Sequence, residues 1–151
     1  MAAGAERARG FLASLKRQLA LYRELTALNQ RQGELISSGD EKGLLELLAV
    51  KQKLMDEIEE LSELFTAERE LLAASPRGKL GALNGEIGAV IAELEPVLRS
   101  LMEAETRDLE GLRARQDQQA EGMKLLEKGQ GLVKAYKSQA SHQPGRLSGS
   151  G

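Results

Sequence analysis

Apolar side chains recur at steps of three and four residues along almost the whole chain, and this spacing constrains the fold more than any other feature. Such spacing places apolar residues on one face of an α-helix, whereas a strand needs alternation at every second residue. Valine, isoleucine and threonine, which favour strands, supply only 11 of the 151 residues, and aromatic residues make up 3%. We therefore predict an all-α fold.

The first apolar stretch covers about 5–37 and predicts one long amphipathic helix. Its apolar positions are Phe11, Leu12, Leu15, Leu19, Tyr22, Leu25, Leu28 and Ile36. The stretch ends at a Ser-Ser-Gly-Asp sequence, in which Gly39 suits the left-handed residue after a helix and Asp40 suits the N-cap of the next. Because the stop and start signals are adjacent, we predict a tight turn and an antiparallel helical hairpin.

The second stretch, about 41–74, follows a seven-residue repeat and predicts a helix that matches the first, each about 50 Å long. Seven of its nine seam positions are apolar, and the two exceptions are Lys51 and Glu68. The first helix has interruptions of its own, at Thr26, Asn29 and Gly33. Polar seam residues of this kind either fix the register of the packing or mark the rim of a cleft, and the sequence favours neither interpretation.

A third stretch begins near Pro76, which fits the first position of a helix. Its apolar phase continues through Pro96 and slips by one position between Leu101 and Met102. We predict one long helix over 76–138, about 90 Å long and kinked or briefly broken near Pro96, in preference to a true hairpin at that proline. Part of a helix of that length must project from the hairpin or pair with another molecule.

Residues 1–140 are therefore predicted to form a single helical domain, an elongated antiparallel hairpin or bundle of three long, coiled-coil-like helices. Residues 141–151 are rich in proline, glycine and serine and lack any periodicity, so we predict a disordered tail.

Composition removes most catalytic chemistries. The chain has no cysteine, which excludes disulfides and thiol catalysis, and its one histidine, His142, lies in the predicted tail. Several glutamates cluster over 57–63, but a solvated helix face explains them better than an acid–base pair, which needs a desolvated cleft. We therefore expect no enzyme activity, no metal and no cofactor.

Charge and hydropathy indicate the surroundings of the protein. The net charge of −2 provides no field that would steer the chain to nucleic acid. No apolar run approaches the roughly 18 residues that a membrane-spanning helix needs, and the N-terminus lacks the apolar core of a secretory signal. We therefore expect a cytoplasmic protein with no nucleic-acid partner and no stable membrane insertion.

The apolar seam thins over residues 113–136, and this segment is the predicted partner-binding region. The predicted contacts are Met123, Leu126, Leu132, Val133 and Tyr136. Methionine and tyrosine are good contact residues, although ordinary packing against the first helix explains the segment equally well. Four glycines share one narrow helical face, at Gly78, Gly81, Gly85 and Gly88. That face is either a surface for close helix approach or an exposed face without a role.

Two parts of the sequence resemble the FlgN-type flagellar export chaperones. The run Ser38-Gly39-Asp40-Glu41-Lys42-Gly43-Leu44-Leu45-Glu46-Leu47-Leu48, leading into Lys51–Ile58, is similar to the hairpin of that family. The stretch from Leu112 through Leu125-Leu126 to Val133–Tyr136 resembles its last helix, in which a polar segment precedes leucine pairs and a closing tyrosine.

This resemblance implies a cytoplasmic type III export chaperone that performs no chemistry. Such proteins bind the C-terminal helical segments of hook–filament junction proteins and deliver them to components of the flagellar export gate. A partner helix lying in a groove is the physical mode that we expect, on a monomer or a homodimer. The alternative is a structural coiled-coil or adaptor protein that dimerises through its long third helix.

Overall fold

In the computed structural model the described residues are 2–74, 83–114 and 120–142, and the regular structure among them is entirely helical. There are five helices in this part of the chain: α1 (Ala2–Ser38), α2 (Glu41–Leu64), α3 (Thr66–Ala74), α4 (Asn84–Arg113) and α5 (Ala120–His142). The all-α prediction is confirmed over these residues, while the number of helices differs from the predicted three.

The turn between α1 and α2 has the geometry that its sequence predicts. Gly39 has a φ of 73°, in the left-handed region that glycine adopts without strain. The Asp40 side chain accepts a hydrogen bond from the backbone N–H of Gly43 at 2.9 Å, which satisfies one of the free amides at the start of α2. Helices α2 and α3 then run antiparallel to α1, as successive pairs show: Asn29 with Lys51 and Arg17 with Glu57 for α2, and Arg7 with Glu68 for α3.

The predicted second helix is interrupted at Phe65, which has φ −123° and ψ 35° and separates α2 from α3. The guanidinium of Arg7 donates a hydrogen bond to the carbonyl oxygen of Leu64 at 3.2 Å, so this carbonyl is bonded outside its own helix. The Phe65 ring packs against Phe11 and over Gly10, where an added Cβ would lie 3.0 Å from the ring. The prediction of an uninterrupted second helix is therefore wrong at this residue.

The predicted third helix over 76–138 is replaced by two helices that pack against each other. Helix α4 continues through Pro96, which is exposed, so that the carbonyl left without a donor lies on the solvent side. The chain reverses after Arg113, and α5 returns antiparallel to α4. A straight helix would leave the apolar side chains of its second half in water, whereas the reversal buries them. The predicted dimerisation through one long helix therefore loses its structural basis.

Four helices form a ring, in which α1 and α5 lie opposite each other and each packs against both α2 and α4. Helices α1 and α4 are parallel, because Arg23 pairs with Glu93 and Gln32 with Asp108 in the same order along both. The largest apolar or aromatic side chains that are fully buried come from all four helices: Phe11, Leu15, Leu21, Tyr22, Leu25, Met55, Ile58, Ile87, Leu94, Leu98 and Tyr136. Helix α5 thus completes the core over the end of the bundle near the α1–α2 turn.

Some predictions fall on residues outside this description. The predicted start of the third helix at Pro76, the glycines Gly78 and Gly81, and residues 143–151 of the predicted tail lie outside the described residues. Gly85 and Gly88 are exposed on α4, and a Cβ added to either would meet no heavy atom within 4 Å. Neither of these two glycines therefore makes a close helix contact within the bundle.

Candidate functional site

Helix α5 carries the residues predicted to bind a partner, and most of their side chains face the interior. Leu126, Leu132 and Tyr136 belong to the core and have at most 7% of their surface exposed, and Val133 is 8% exposed. The side chain of Met123 lies outside the described part of the molecule. These side chains attach α5 to its own bundle, and partner binding by them stays a prediction.

A groove between α4 and α5, which we call the α4–α5 groove, is open to solvent on the outer surface of the bundle. Its floor is formed by Met102, Thr106 and Leu109 of α4 and by Val133 of α5. Its two parts, of about 360 and 520 Å³, share Thr106 and Lys137 and are therefore adjacent along the two helices. From Met102 to Arg113 the groove follows roughly 16 Å of α4, or three helical turns. Of the predicted partner contacts, Val133 is the one that lines this groove.

The apolar floor arises because α4 carries two rows of apolar side chains. One row is buried in the core at Leu94, Leu98, Leu101 and Leu112, with Glu105 in the same row. The second row, Met102 and Leu109, is only partly buried and lies at the groove. The slip in the apolar phase after Leu101 is therefore a change from the buried row to the second row. The face of α4 that packs into the core stays the same along the helix.

Charged side chains border the α4–α5 groove, and basic ones predominate. Its cations are Arg107, Arg113, Lys134 and Lys137, and its carboxylates are Glu103 and Glu110. All six are exposed. Two positive charges are therefore in excess here, although the whole chain has a net charge of −2. Sequence analysis did not predict this site, because the cations come from two segments that only the reversal of the chain brings together.

A second groove lies on the other side of α5, against α2, and we call it the α2–α5 groove. It has a volume of about 320 Å³ and is lined by Leu48, Lys53, Lys128 and Leu132, among others. The predicted contact residue in this groove, Leu132, is 1% exposed, whereas Val133 in the α4–α5 groove is 8% exposed. A partner in the α2–α5 groove would therefore reach less of its predicted contact residue. The two grooves provide a matched pair of basic surfaces on either side of one helix.

Beneath α5 lies a buried polar cluster formed by Asn29, Gln32, Lys51, Glu105 and Asp108. The Lys51 ammonium donates hydrogen bonds to Asn29 Oδ1 at 2.8 Å, to Gln32 Oε1 at 2.7 Å and to Glu105 Oε1. All three of its protons are thereby used. The side-chain amide of Gln32 in turn donates to Glu105 Oε1 at 3.1 Å and to Asp108 Oδ2 at 2.5 Å. One polar network therefore ties α1, α2 and α4 together.

Burial shapes the electrostatics of this cluster. The side chains of Lys51 and Glu105 are 0% and 1% exposed. Removal from water lowers the pKa of Lys51, and the carboxylate of Glu105 partly opposes this shift. Because no part of Lys51 reaches solvent, it is not positioned to meet a substrate as a nucleophile or base. The network instead fixes which faces of the three helices meet, the register role that sequence analysis left open for Asn29.

Two tyrosine hydroxyl groups have no hydrogen-bond partner within the described residues, those of Tyr22 and Tyr136. Both are fully buried. Desolvation raises the pKa of each, and for Tyr136 the nearby Glu105 carboxylate adds to the increase. Tyr136 therefore stays neutral, and its ring closes the core from the side of α5.

Among residues 2–74, 83–114 and 120–142, no group of three or more metal-ligating side chains converges on one point. Within the same ranges, none of the helices combines the length and the apolar character that crossing a membrane requires.

The chain matches no family model, no curated protein and no solved structure.

Proposed function

We propose that this protein is a cytoplasmic type III export chaperone that holds the C-terminal helical segment of a hook–filament junction protein and delivers it to the flagellar export gate. The observation that carries this proposal is the open α4–α5 groove, which has an apolar floor and lies along the helix whose sequence resembles the last helix of FlgN-type chaperones. An apolar groove with a polar rim is the surface that an amphipathic helix recognises.

In this proposal, three of the predicted contact residues have two different roles. Val133, with Met102 and Leu109, meets the apolar face of the partner segment in the groove. Leu126 and Tyr136 act indirectly, because their burial in the core holds α5 at the distance from α4 that keeps the groove open. Binding in this mode requires no separation of α5 from the bundle.

Calorimetric titration with the C-terminal segment of a junction protein tests this proposal. Thr106→Phe places a large ring in the middle of the groove, where Thr106 is exposed, and is expected to weaken binding at least about tenfold. Thr26→Phe is the matched control. Thr26 is also an exposed threonine, and its hydroxyl donates to the carbonyl four residues earlier at 3.0 Å, as that of Thr106 does at 2.8 Å.

Circular dichroism must show that both variants keep the helical content of the parent chain. Tight binding that Thr106→Phe abolishes and Thr26→Phe leaves unchanged supports the proposal. Failure of the unmodified protein to bind any junction-protein segment contradicts it, and so does equal loss of affinity in the two variants.

A further inference from the structure

We propose that the α4–α5 groove selects an acidic amphipathic helix, so that the partner segment carries glutamate or aspartate beside its apolar face. This inference rests on the proposed function in so far as the natural partner is an export substrate. It concerns the chemistry of the groove itself, however, and can be tested without any such substrate.

The first argument is the charge around the groove. Arg107, Arg113, Lys134 and Lys137 stand against two carboxylates, which leaves two positive charges in excess on a chain that is negative overall. Complementary charge at the rim of an interface directs partner choice and speeds association more than it raises affinity. A helix with acidic flanks is therefore favoured, whereas one with basic flanks meets like charge.

The second argument is that these cations are available. Within the described part of the chain, none of the four has an ion-pair partner within 4.0 Å. On α1, Arg7, Arg17 and Arg23 are paired with glutamates of other helices, and an ion pair of that kind would have to be broken before those cations could meet a partner. An incoming carboxylate at the groove would gain a free cation and would not have to displace an internal partner.

The third argument is the match in dimensions and polarity. The groove follows about three turns of α4, which accommodates roughly 11 residues of a partner helix. Met102 and Leu109 are seven residues apart and partly buried, so their exposed remainder suits apolar side chains that repeat every three or four residues. The thioether of Met102 adapts to side chains of different shape, while the charges at the rim provide the selection.

Two synthetic peptides of about four turns test the inference by fluorescence anisotropy. Both carry leucines at three- and four-residue steps, one with glutamates beside them and the other with lysines at the same positions. The glutamate peptide is expected to bind at least about tenfold more tightly at about 0.1 M salt, and this preference should largely disappear at about 1 M salt, where exposed charges are screened.

Charge reversal on the protein locates the site. Lys134→Glu/Lys137→Glu is expected to weaken binding of the glutamate peptide about tenfold, because each exposed lysine contributes a modest attraction that becomes repulsion. The matched control is Lys53→Glu/Lys128→Glu, which makes the same change of charge in the α2–α5 groove. That control is expected to bind as the parent does, and circular dichroism checks that both double variants fold.

Equal binding of the two peptides would overturn the inference, and so would a loss of affinity confined to the α2–α5 control. Sedimentation tests a rival occupant, a second copy of this chain presenting its acidic segment over 40–74. Self-association that the Lys134→Glu/Lys137→Glu variant abolishes would assign the groove to that copy and refute the present choice.

The results also separate this inference from the proposed function. Binding of the glutamate peptide in the groove without binding of any junction-protein segment supports the inference and contradicts the export role. If a junction-protein segment binds with the same affinity to the parent and to Lys134→Glu/Lys137→Glu, the export role is supported and the inference about acidic helices is contradicted.

Discussion

Replacing Lys51 with methionine is expected to be among the most damaging single changes in the bundle. Methionine keeps most of the volume of the lysine stem but leaves the carboxylate of Glu105, which is 1% exposed, without its cation. Removing one member of a buried ion pair costs about 3–5 kcal/mol, because the remaining charge is neither paired nor hydrated. Glu105→Leu leaves the buried Lys51 ammonium without its carboxylate partner and is expected to lower the free energy of unfolding by a similar amount. Either loss is a large part of the roughly 5–15 kcal/mol that stabilises a typical domain.

The double variant Lys51→Met/Glu105→Leu is expected to be less damaging than either single change. It removes both charges, so the remaining cost comes from acceptors that Lys51 served. Asn29 is only half-buried and can turn to solvent, but Gln32 is 3% exposed, and its Oε1 loses its donor. One buried unsatisfied group costs about 1–3 kcal/mol, and this range is our estimate for the double variant.

Urea unfolding followed by circular dichroism on the parent, the two single variants and the double variant measures this cycle. Arg23→Met is the control, because the Arg23–Glu93 pair is about 60% exposed on both sides and such pairs contribute about 1 kcal/mol or less. Single-variant losses as small as that of the control would show that the Lys51–Glu105 pair is hydrated. A double-variant loss equal to the sum of the two single losses would show that the charges are not coupled. Either result refutes the reasoning.

Four further substitutions test other parts of the fold. Tyr136→Phe keeps the buried ring and removes a hydroxyl that has no hydrogen-bond partner among the described residues. We therefore expect the free energy of unfolding in urea to be unchanged or raised by about 1 kcal/mol, and a clear loss would contradict this. Gly88→Ala adds a Cβ that meets nothing within 4 Å and is expected to stabilise the folded protein by about 0.5–1 kcal/mol in thermal unfolding. In Gly43→Ala the added Cβ would lie 2.6 Å from Asp40 Oδ2, so this change is expected to destabilise the folded protein in the same assay. The hydrogen bond from Arg7 lowers the pKa of Glu68 below its usual 4.5. The stability that this carboxylate contributes is therefore present above pH 4.5 and is lost as the pH falls through the lowered pKa. In an acid titration, Glu68→Gln should lose less stability over this range than the parent does.

Local signals in the sequence predicted the hairpin because they act over a few residues. Gly39 and Asp40 define the turn through the backbone conformation of one and the capping oxygen of the other, and neither depends on the rest of the fold. The break at Phe65 was not predictable in this way, because it depends on a contact with Arg7, which lies far away in the sequence. The polar seam positions Lys51 and Glu68 were recognised as exceptions, but their partners come from other helices, which the repeat of the predicted second helix cannot identify.

The burial of Glu105 accounts for the apolar side chains of α4 that lie outside the buried row and border the groove. A carboxylate in the core row of α4 is tolerated because Lys51 faces it. A pattern of apolar residues alone treats Glu105 as a surface residue. The pattern therefore shifts from Leu101 to Met102 and predicts that the second half of the helix buries a different face. With Glu105 placed in the core, Met102 and Leu109 become surplus apolar residues beside the buried row. Folding α5 back covers these residues in part, and what stays open is the floor of the α4–α5 groove. A charged pair in the core thus determines where the outer surface of the bundle is apolar.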